Sequence, residues 1–402
     1  MGERGEDLRR FLEPERIGVL RVLPGIVAGG LAAAVLVGMF LLRPIGEERP
    51  DLSLIGINAR VYEAVVDDVT GAPCQANSDL QCVEIGFRLT QGPDAGSVFP
   101  MTYVVSETSP SFSVGERVVL NYQEGVDLEF RYAYADRQRR PVLLWLGVLF
   151  AVVVVMLGRM RGLAALVGLA ASIVVLLQFV IPAILDGRNP LLVAVVGSAV
   201  IAYLALYAAH GFTRMTTVAL LGTLAALALT ALLSWLVVGV AHFSGLTADE
   251  AFIITIAGHF DLSGLILAGI VLGALGAIDD ITVTQASTVW ELHALRPDLG
   301  RGALVRSGMK VGRDHVASTV NTLLLAYAGA AMPLLLFFVL ADQSIGTVLN
   351  SEIVAVEVVR TLVGSIGLVS AVPLTTWLAA VFASEEFGGG GAGPARQPST
   401  SS

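Results

Sequence analysis

The pattern that dominates the chain is a series of apolar runs of about 20 residues, each bounded by a short polar stretch. Eight such runs occur, at 22–42, 142–158, 162–185, 191–209, 216–241, 262–281, 316–341 and 361–383. Each is long enough for a helix to cross roughly 30 Å of hydrocarbon. None alternates apolar with polar positions as a barrel strand must. The pattern therefore predicts an α-helical polytopic membrane protein of about eight transmembrane helices, with the lipid bilayer as its main partner. The first run, VLPGIVAGGLAAAVLVGMFLL, carries no small-residue cleavage site, which makes it an uncleaved anchor rather than a signal peptide. Residues 1–21 before it read as a polar cytoplasmic tail. Residues 384–402, ending in GGGGAGPARQPSTSS, read as a disordered one.

Between residues 43 and 141 the pattern changes. The segments CVEIGFRLT, VFPMTYVV, ERVVLNY and LEFRYAYA are rich in β-branched and aromatic residues, partly alternating, and punctuated by Gly, Pro and Asp. They predict four to six short strands in a small β-rich domain, a barrel or sandwich for which an OB-like form is one candidate. The domain holds the only two cysteines of the chain, Cys74 and Cys82, in the loop APCQANSDLQC. Their spacing allows a disulfide, and a disulfide persists only outside the cytosol. Two unrelated thiols are the alternative.

Composition supports this division. Charged residues make up 15% of the chain and hydrophobic ones 55%, against roughly 25% charged in soluble domains. The net charge is −9, and the acid is concentrated in the polar insert, which leaves no basic footprint for nucleic acid. Arginines instead gather in the short loops GRMRG, HGFTRM and 296–314. The positive-inside rule makes those loops cytoplasmic, with both termini, and makes 43–141 extracytoplasmic. The segment DRQRRP (136–141) opposes this assignment and is outvoted.

Candidate chemistry lies in GALGAIDDITVTQASTVWEL (273–292). Asp279 and Asp280 fall near the cytoplasmic end of the sixth run. Asp280, Thr284, Ser287 and Glu291 then recur at i, i+4, i+7 and i+11, one polar face of a continuing helix. Gly269, Gly273 and Gly276 predict close helix packing, as do Gly364 and Gly367 in the last run. The next run opens as GRDHVASTVNTLLLAYAG, with Asp314, Ser318 and Asn321 on one face and His315, Thr319 and Thr322 on the adjacent one. Intramembrane ionisable groups point to function, and an ion or proton pathway through these residues is one reading. A cytoplasmic latch of the aspartates with Arg306, Lys310 or Arg313 is another, and a divalent-metal site with His315 is a third. The Thr and Ser hydroxyls could equally bond their own helix carbonyls. His259 and Asp261 in GHFDLSG could bind a cation at the outer mouth or simply be interfacial. Glu352 and Glu357 in EIVAVEVV suggest a short interfacial helix before the last run. No Walker motif, HExxH spacing or nucleophile–base pair is present, so enzymatic chemistry and a resident cofactor are not expected.

GALGAIDDITVTQASTVWEL, GRDHVASTVNTLLLAYAGAAMPLLL and EVVRTLVGSIGLVSAVPLTTWLAA, in this order, resemble the YibE/F-like family of bacterial multi-pass membrane proteins. The resemblance extends over nearly the whole chain and implies no established activity. A fainter similarity of the last three runs to SecF- and RND-type membrane domains implies proton flow coupled to movement of an external domain. On it, the key roles would fall to Asp279 and Asp280, to Ser318, Thr319, Asn321 and Thr322, and to Gly364, Gly367 and Pro373. The expected function is a transporter-type inner-membrane protein for an unnamed substrate, with an aspartate as the titrating group. The alternatives are a non-transporting scaffold whose β-domain binds an extracytoplasmic protein partner, and a divalent-metal exporter.

Overall fold

The computed structural model describes residues 3–46, 60–74, 81–106, 110–125, 130–246 and 260–387. The chain divides into two units, residues 49–153 on one hand and residues 1–48 with 154–402 on the other.

The smaller unit is a curled antiparallel sheet of β1 (Arg60–Pro73), β2 (Gln81–Leu89), β3 (Val98–Val104), β4 (Arg117–Tyr122) and β5 (Tyr132–Arg137), in the order β3-β2-β1-β4-β5. Long β1 serves both halves, pairing through its first residues with β4 and through the rest with β2. A register shift between Val66 and Asp68 marks a bulge, which bends the strand and sharpens its twist. Gly86 sits opposite, where a Cβ would collide with the Asp68 carboxylate. The curl encloses Val66, Ile85, Phe87, Leu89, Val118 and Leu120. Buried Tyr132 donates its hydroxyl to Asp94 at 2.8 Å; burial first, and that acceptor second, push its pKa upward. Cys74 and Cys82 form a disulfide across the β1–β2 loop, with Cα atoms 5.3 Å apart. The four quoted strand segments match β2 to β5. The central strand, β1, was not among them, because Asp67 and Asp68 break its alternation at the bulge.

The larger unit is helical. In chain order it comprises α1 (Glu3–Leu41), α2 (Arg140–Val175, whose first residues belong to the smaller unit), a π-helical turn at Leu176–Val180, α3 (Ile181–Leu185), α4 (Pro190–His210), α5 (Arg214–Ala241), α6 (Leu262–Leu295), α7 (Arg301–Ala330), α8 (Met332–Leu340), α9 (Ile345–Asn350) and α10 (Glu352–Phe387). Among the described residues, six helices are long and apolar enough to cross a membrane, or seven when the pair α7 and α8, bent by 63°, counts as one span. The stretch Arg140–Leu185 counts as one of the six, yet it is interrupted at Arg159, whose φ of 50° is not helical.

The core is α5, α6 and α10. α5 and α10 are antiparallel: Gly222 meets Thr375, and Thr230 meets Gly367. α6 and α10 are parallel: Ala274 lies against Gly364, Ile278 against Gly367, and Gln285 against Thr376. Gly367 therefore sits where three helices converge. Missing side chains bring backbones together here, and packing rather than water exclusion drives such approach in lipid. α1 joins through the Tyr203 hydroxyl, which donates to the Ala28 carbonyl at 2.6 Å.

Three expectations change. The basic stretch 296–314 is not a loop beyond residue 300, because Leu304, Gly308 and Gly312 recur every four residues and bury one helical face. Arg306, Lys310 and Arg313 occupy the opposite, exposed face. EIVAVEVV is not a separate interfacial helix but the first turns of α10. Its Glu352 accepts from the Ser244 hydroxyl and the Gly245 amide, and its Glu357 pairs with Arg360 at 2.7 Å. Finally, the close-packing role expected of Gly269, Gly273 and Gly276 falls elsewhere. A Cβ on Gly269 would meet only Arg360, one on Gly273 only the Tyr327 hydroxyl, and one on Gly276 nothing among the described residues.

Gly367→Ala puts a methyl into Thr230, and overpacking of this kind costs about 1–3 kcal/mol. The variant is expected to melt at lower temperature than the parent in detergent, while Gly276→Ala melts with the parent. Equal melting of all three would contradict the α5–α6–α10 packing.

Candidate functional site

α6 is a 34-residue helix that carries two polar faces. The outer one is the predicted stripe Asp280, Thr284, Ser287 and Glu291. The inner one, Asp279, Thr282, Gln285 and His293, packs toward α5 and α10. Thr282 and Gln285 are 0% exposed and His293 is 3% exposed. Asp279 lies midway along the helix rather than at its end. No Gly or Pro follows to stop the helix there, so the aspartate pair does not mark a helix terminus.

Asp279 meets α5. The Thr223 hydroxyl lies 3.1 Å from its Oδ1 and 2.7 Å from the Thr282 hydroxyl, and the Thr282 hydroxyl lies 2.9 Å from the Asp279 carbonyl. The two threonines hold two hydroxyl protons. Spending the Thr282 proton on the carbonyl leaves the Thr223 proton to be shared between the carboxylate and the Ala219 carbonyl, each 3.1 Å away. No described Lys, Arg or His forms an ion pair with Asp279; the nearest such contact on α6 belongs to its neighbour. A carboxylate at a helix interface with one neutral donor and no counter-charge is costly to keep ionised. A bound proton or a bare cation removes that cost.

Asp280 points the other way and is largely exposed. Its Oδ2 is 3.8 Å from Nε2 of His315 on α7, an ion pair only when the imidazole is protonated. That Nε2 is buried and has no hydrogen-bond partner. The rest of the outer stripe is spent locally. Thr284 donates to the Asp280 carbonyl, Ser287 and Thr288 donate to that of Thr284, and Glu291 is exposed. On α7, Thr319 and Thr322 bond the carbonyls of His315 and Ser318, while Asp314, Ser318 and Asn321 are exposed. The predicted residues thus resolve into one half-buried carboxylate, one aspartate–histidine contact, and a remainder that is not gathered. No described ion pair joins either aspartate to Arg306, Lys310 or Arg313. Among the described residues, no three His, Cys, Asp or Glu side chains converge as a metal site requires. Asp261 is the N-cap of α6, accepting from the Gly264 amide at 2.8 Å; His259 lies outside the described residues. In the 296–300 turn, a two-pronged hydrogen bond from Arg296 holds Asp298 down to about 2.

Sequence reasoning missed the residues that complete the buried site: Thr223 on α5, Thr282 and Gln285 on α6, and Thr375 and Thr376 on α10. A signal was present. Thr216, Thr223 and Thr230 recur every seven residues in an otherwise aliphatic run, and all three are 0% exposed.

Comparison with known proteins gives one result: a family model described as "YibE/F-like protein" matches residues 146–385, well over half of the chain. No curated protein and no solved structure matches.

The Asp280–His315 contact is testable with cysteines. A short bifunctional thiosulfonate reagent is expected to bridge the double variant Asp280→Cys/His315→Cys, with Cys74 and Cys82 left oxidised. It is expected to fail with Asp280→Cys/Asn321→Cys. Equal bridging in both would place α7 in another rotation.

Proposed function

We propose that this chain, which belongs to the YibE/F-like family, is a multi-pass inner-membrane protein of transporter type, driven by proton binding at Asp279. One observation carries the reading: the Asp279 carboxylate faces α5 with a single neutral donor and, among the described residues, no counter-charge. Proton binding and release there change the charge inside the three-helix core, which is the requirement for coupling an ion gradient to a shift of α6 against α5. The Asp280–His315 contact lies beside it on the outer face of α6.

The topology proposed is eight spans with both termini cytoplasmic. The break at Arg159 divides Arg140–Leu185 into two spans, and the bent α7–α8 pair supplies one. The Arg-rich short loops support this orientation. The Cys74–Cys82 disulfide supports an extracytoplasmic position for the sheet unit, and its strand order is that of a partly open OB-like barrel. That unit also favours a second reading, a scaffold that takes a protein partner outside the membrane. Its strands β3 and β5 each have one paired neighbour among the described strands, and an edge strand is where a partner's strand adds.

Reconstitution into vesicles containing a pH-sensitive dye tests the first reading. Asp279→Asn is expected to lower gradient-driven proton uptake by about a hundredfold, the scale of losing a proton-transfer group. Asp280→Asn is expected to lower it less. Uptake that survives both substitutions would sink the assignment. Deletion of residues 44–141 separates the second reading. A scaffold loses its partner in a pull-down while vesicle proton uptake stays at the full-length level.

A further inference from the structure

The first half of α7 carries a cationic face that no described ion pair neutralises. Arg306, Lys310 and Arg313 stand at i, i+4 and i+7, within about 60° of one another around the helix and about 10 Å along it. All three are exposed, and none is joined to a carboxylate among the described residues. Asp314 is the one acid between Arg301 and His315; it is exposed too and leaves the face net positive. On the neighbouring α6 the exposed acids are Asp280, which lies at His315, and Glu291. Like charges three and four residues apart weaken a helix. Packing holds this one through its opposite face, where Leu304, Gly308 and Gly312 are buried.

The level of the cations follows from what that buried face touches. A Cβ on Gly308 would meet Thr376, and one on Gly312 would meet Val372, both within the apolar run 361–383 of α10. Leu304 packs in one cluster with Ala379, Ala380 and Ala383. The basic face therefore stands beside the last turns of an apolar helix, not at the tip of a loop reaching into water. Exposed arginine and lysine at such a level need an anion, and their long stems let the charged heads rise to the interface.

We propose that Arg306, Lys310 and Arg313 bind the phosphates of anionic phospholipids in the cytoplasmic leaflet, fastening the first half of α7 at the membrane surface. The proposal rests on the membrane placement and orientation proposed for the chain and is independent of proton coupling. A lipid phosphodiester carries one negative charge and two acceptor oxygens, to which a guanidinium donates in pairs. Its acyl chains already lie in the bilayer, so binding it surrenders less translational freedom than capturing a soluble anion. The bound phosphates offset the repulsion among the three cations. They hold from outside the segment that Gly308 and Gly312 seat against α10 from inside.

Ala317 is exposed on the same face, one turn beyond Arg313. A fluorophore on Ala317→Cys in the full chain, with Cys74 and Cys82 left oxidised, reports lipid contact there through quenching by brominated phospholipids. In vesicles, brominated phosphatidylglycerol is expected to bind at this position in preference to brominated phosphatidylcholine. Arg306→Gln, Lys310→Gln and Arg313→Gln are each expected to lower that preference by about fivefold, the scale of one basic residue beside anionic lipid. The triple variant is expected to show none while melting with the parent in detergent, since its buried face is untouched. Arg306→Lys/Arg313→Lys, which keeps the charge, is expected to retain most of the preference. Equal binding of the two lipids by the parent, or a triple variant that keeps the preference, overturns the proposal. An equal loss in Arg159→Gln/Arg161→Gln/Arg214→Gln means a diffuse charge field rather than a site, and also overturns it. So does displacement of the lipid by millimolar inorganic phosphate at fixed ionic strength, which assigns the face to a soluble phosphate compound. Quenching by neither lipid takes this face out of the bilayer, and the membrane placement then falls together with the proposal.

Discussion

Most of what this protein's helical unit can do depends on one constraint: a carboxylate held between two apolar helices must be neutralised from somewhere. Among the described residues Asp279 has one hydroxyl donor, Thr223, and that hydroxyl is shared with Thr282 and the Ala219 carbonyl. Hydroxyls can orient a carboxylate but cannot balance its charge. On the reading proposed above, a bound proton supplies that balance, where a conventional ion pair would supply it with a fixed side chain. The aspartate beside it lives in a different regime, exposed and within reach of a histidine. Adjacent residues on a helix point about 100° apart, and that angle separates the two carboxylates into two environments.

The threonine-lined interior exists because glycines make room for it. Gly222 and Gly367 lack the side chains that would strike Thr375 and Thr230. Gly308 and Gly312 do the same for α7 against Thr376, Val372 and Gln285. Backbones that approach this closely bring small hydroxyls from three helices into one layer. The same approach turns the basic segment before His315 into a helix with one buried and one charged face. Glycine alone does not signal such a crossing. Gly269, Gly273 and Gly276 have the right spacing, yet they lie on the open face of α6 beneath Arg360 and Tyr327.

In the sheet unit the comparable device is the bulge at Val66 and Asp68. It lets one long strand pair with β4 at one end and β2 at the other. That curl is what allows a small five-stranded sheet to enclose an aromatic and aliphatic core.

The residue pattern by itself determined the apolar helices, the strand-rich insert, the family and the prominence of the aspartate pair. The helices, the insert and the aspartate pair follow from local periodicity and composition, which each segment carries alone, while the family follows from the resemblance of its motifs and the matched family model. It also contained the seven-residue threonine repeat of α5, which is meaningful only beside a partner. Which aspartate faces α5, which glycines touch another helix, and whether Thr284 or Thr282 faces the core were decided by the tertiary structure. Helical periodicity places residues on faces, but it does not say which face another helix will cover. That choice belongs to the rotation and register of α5, α6 and α10 against one another, set by packing between segments far apart in the chain.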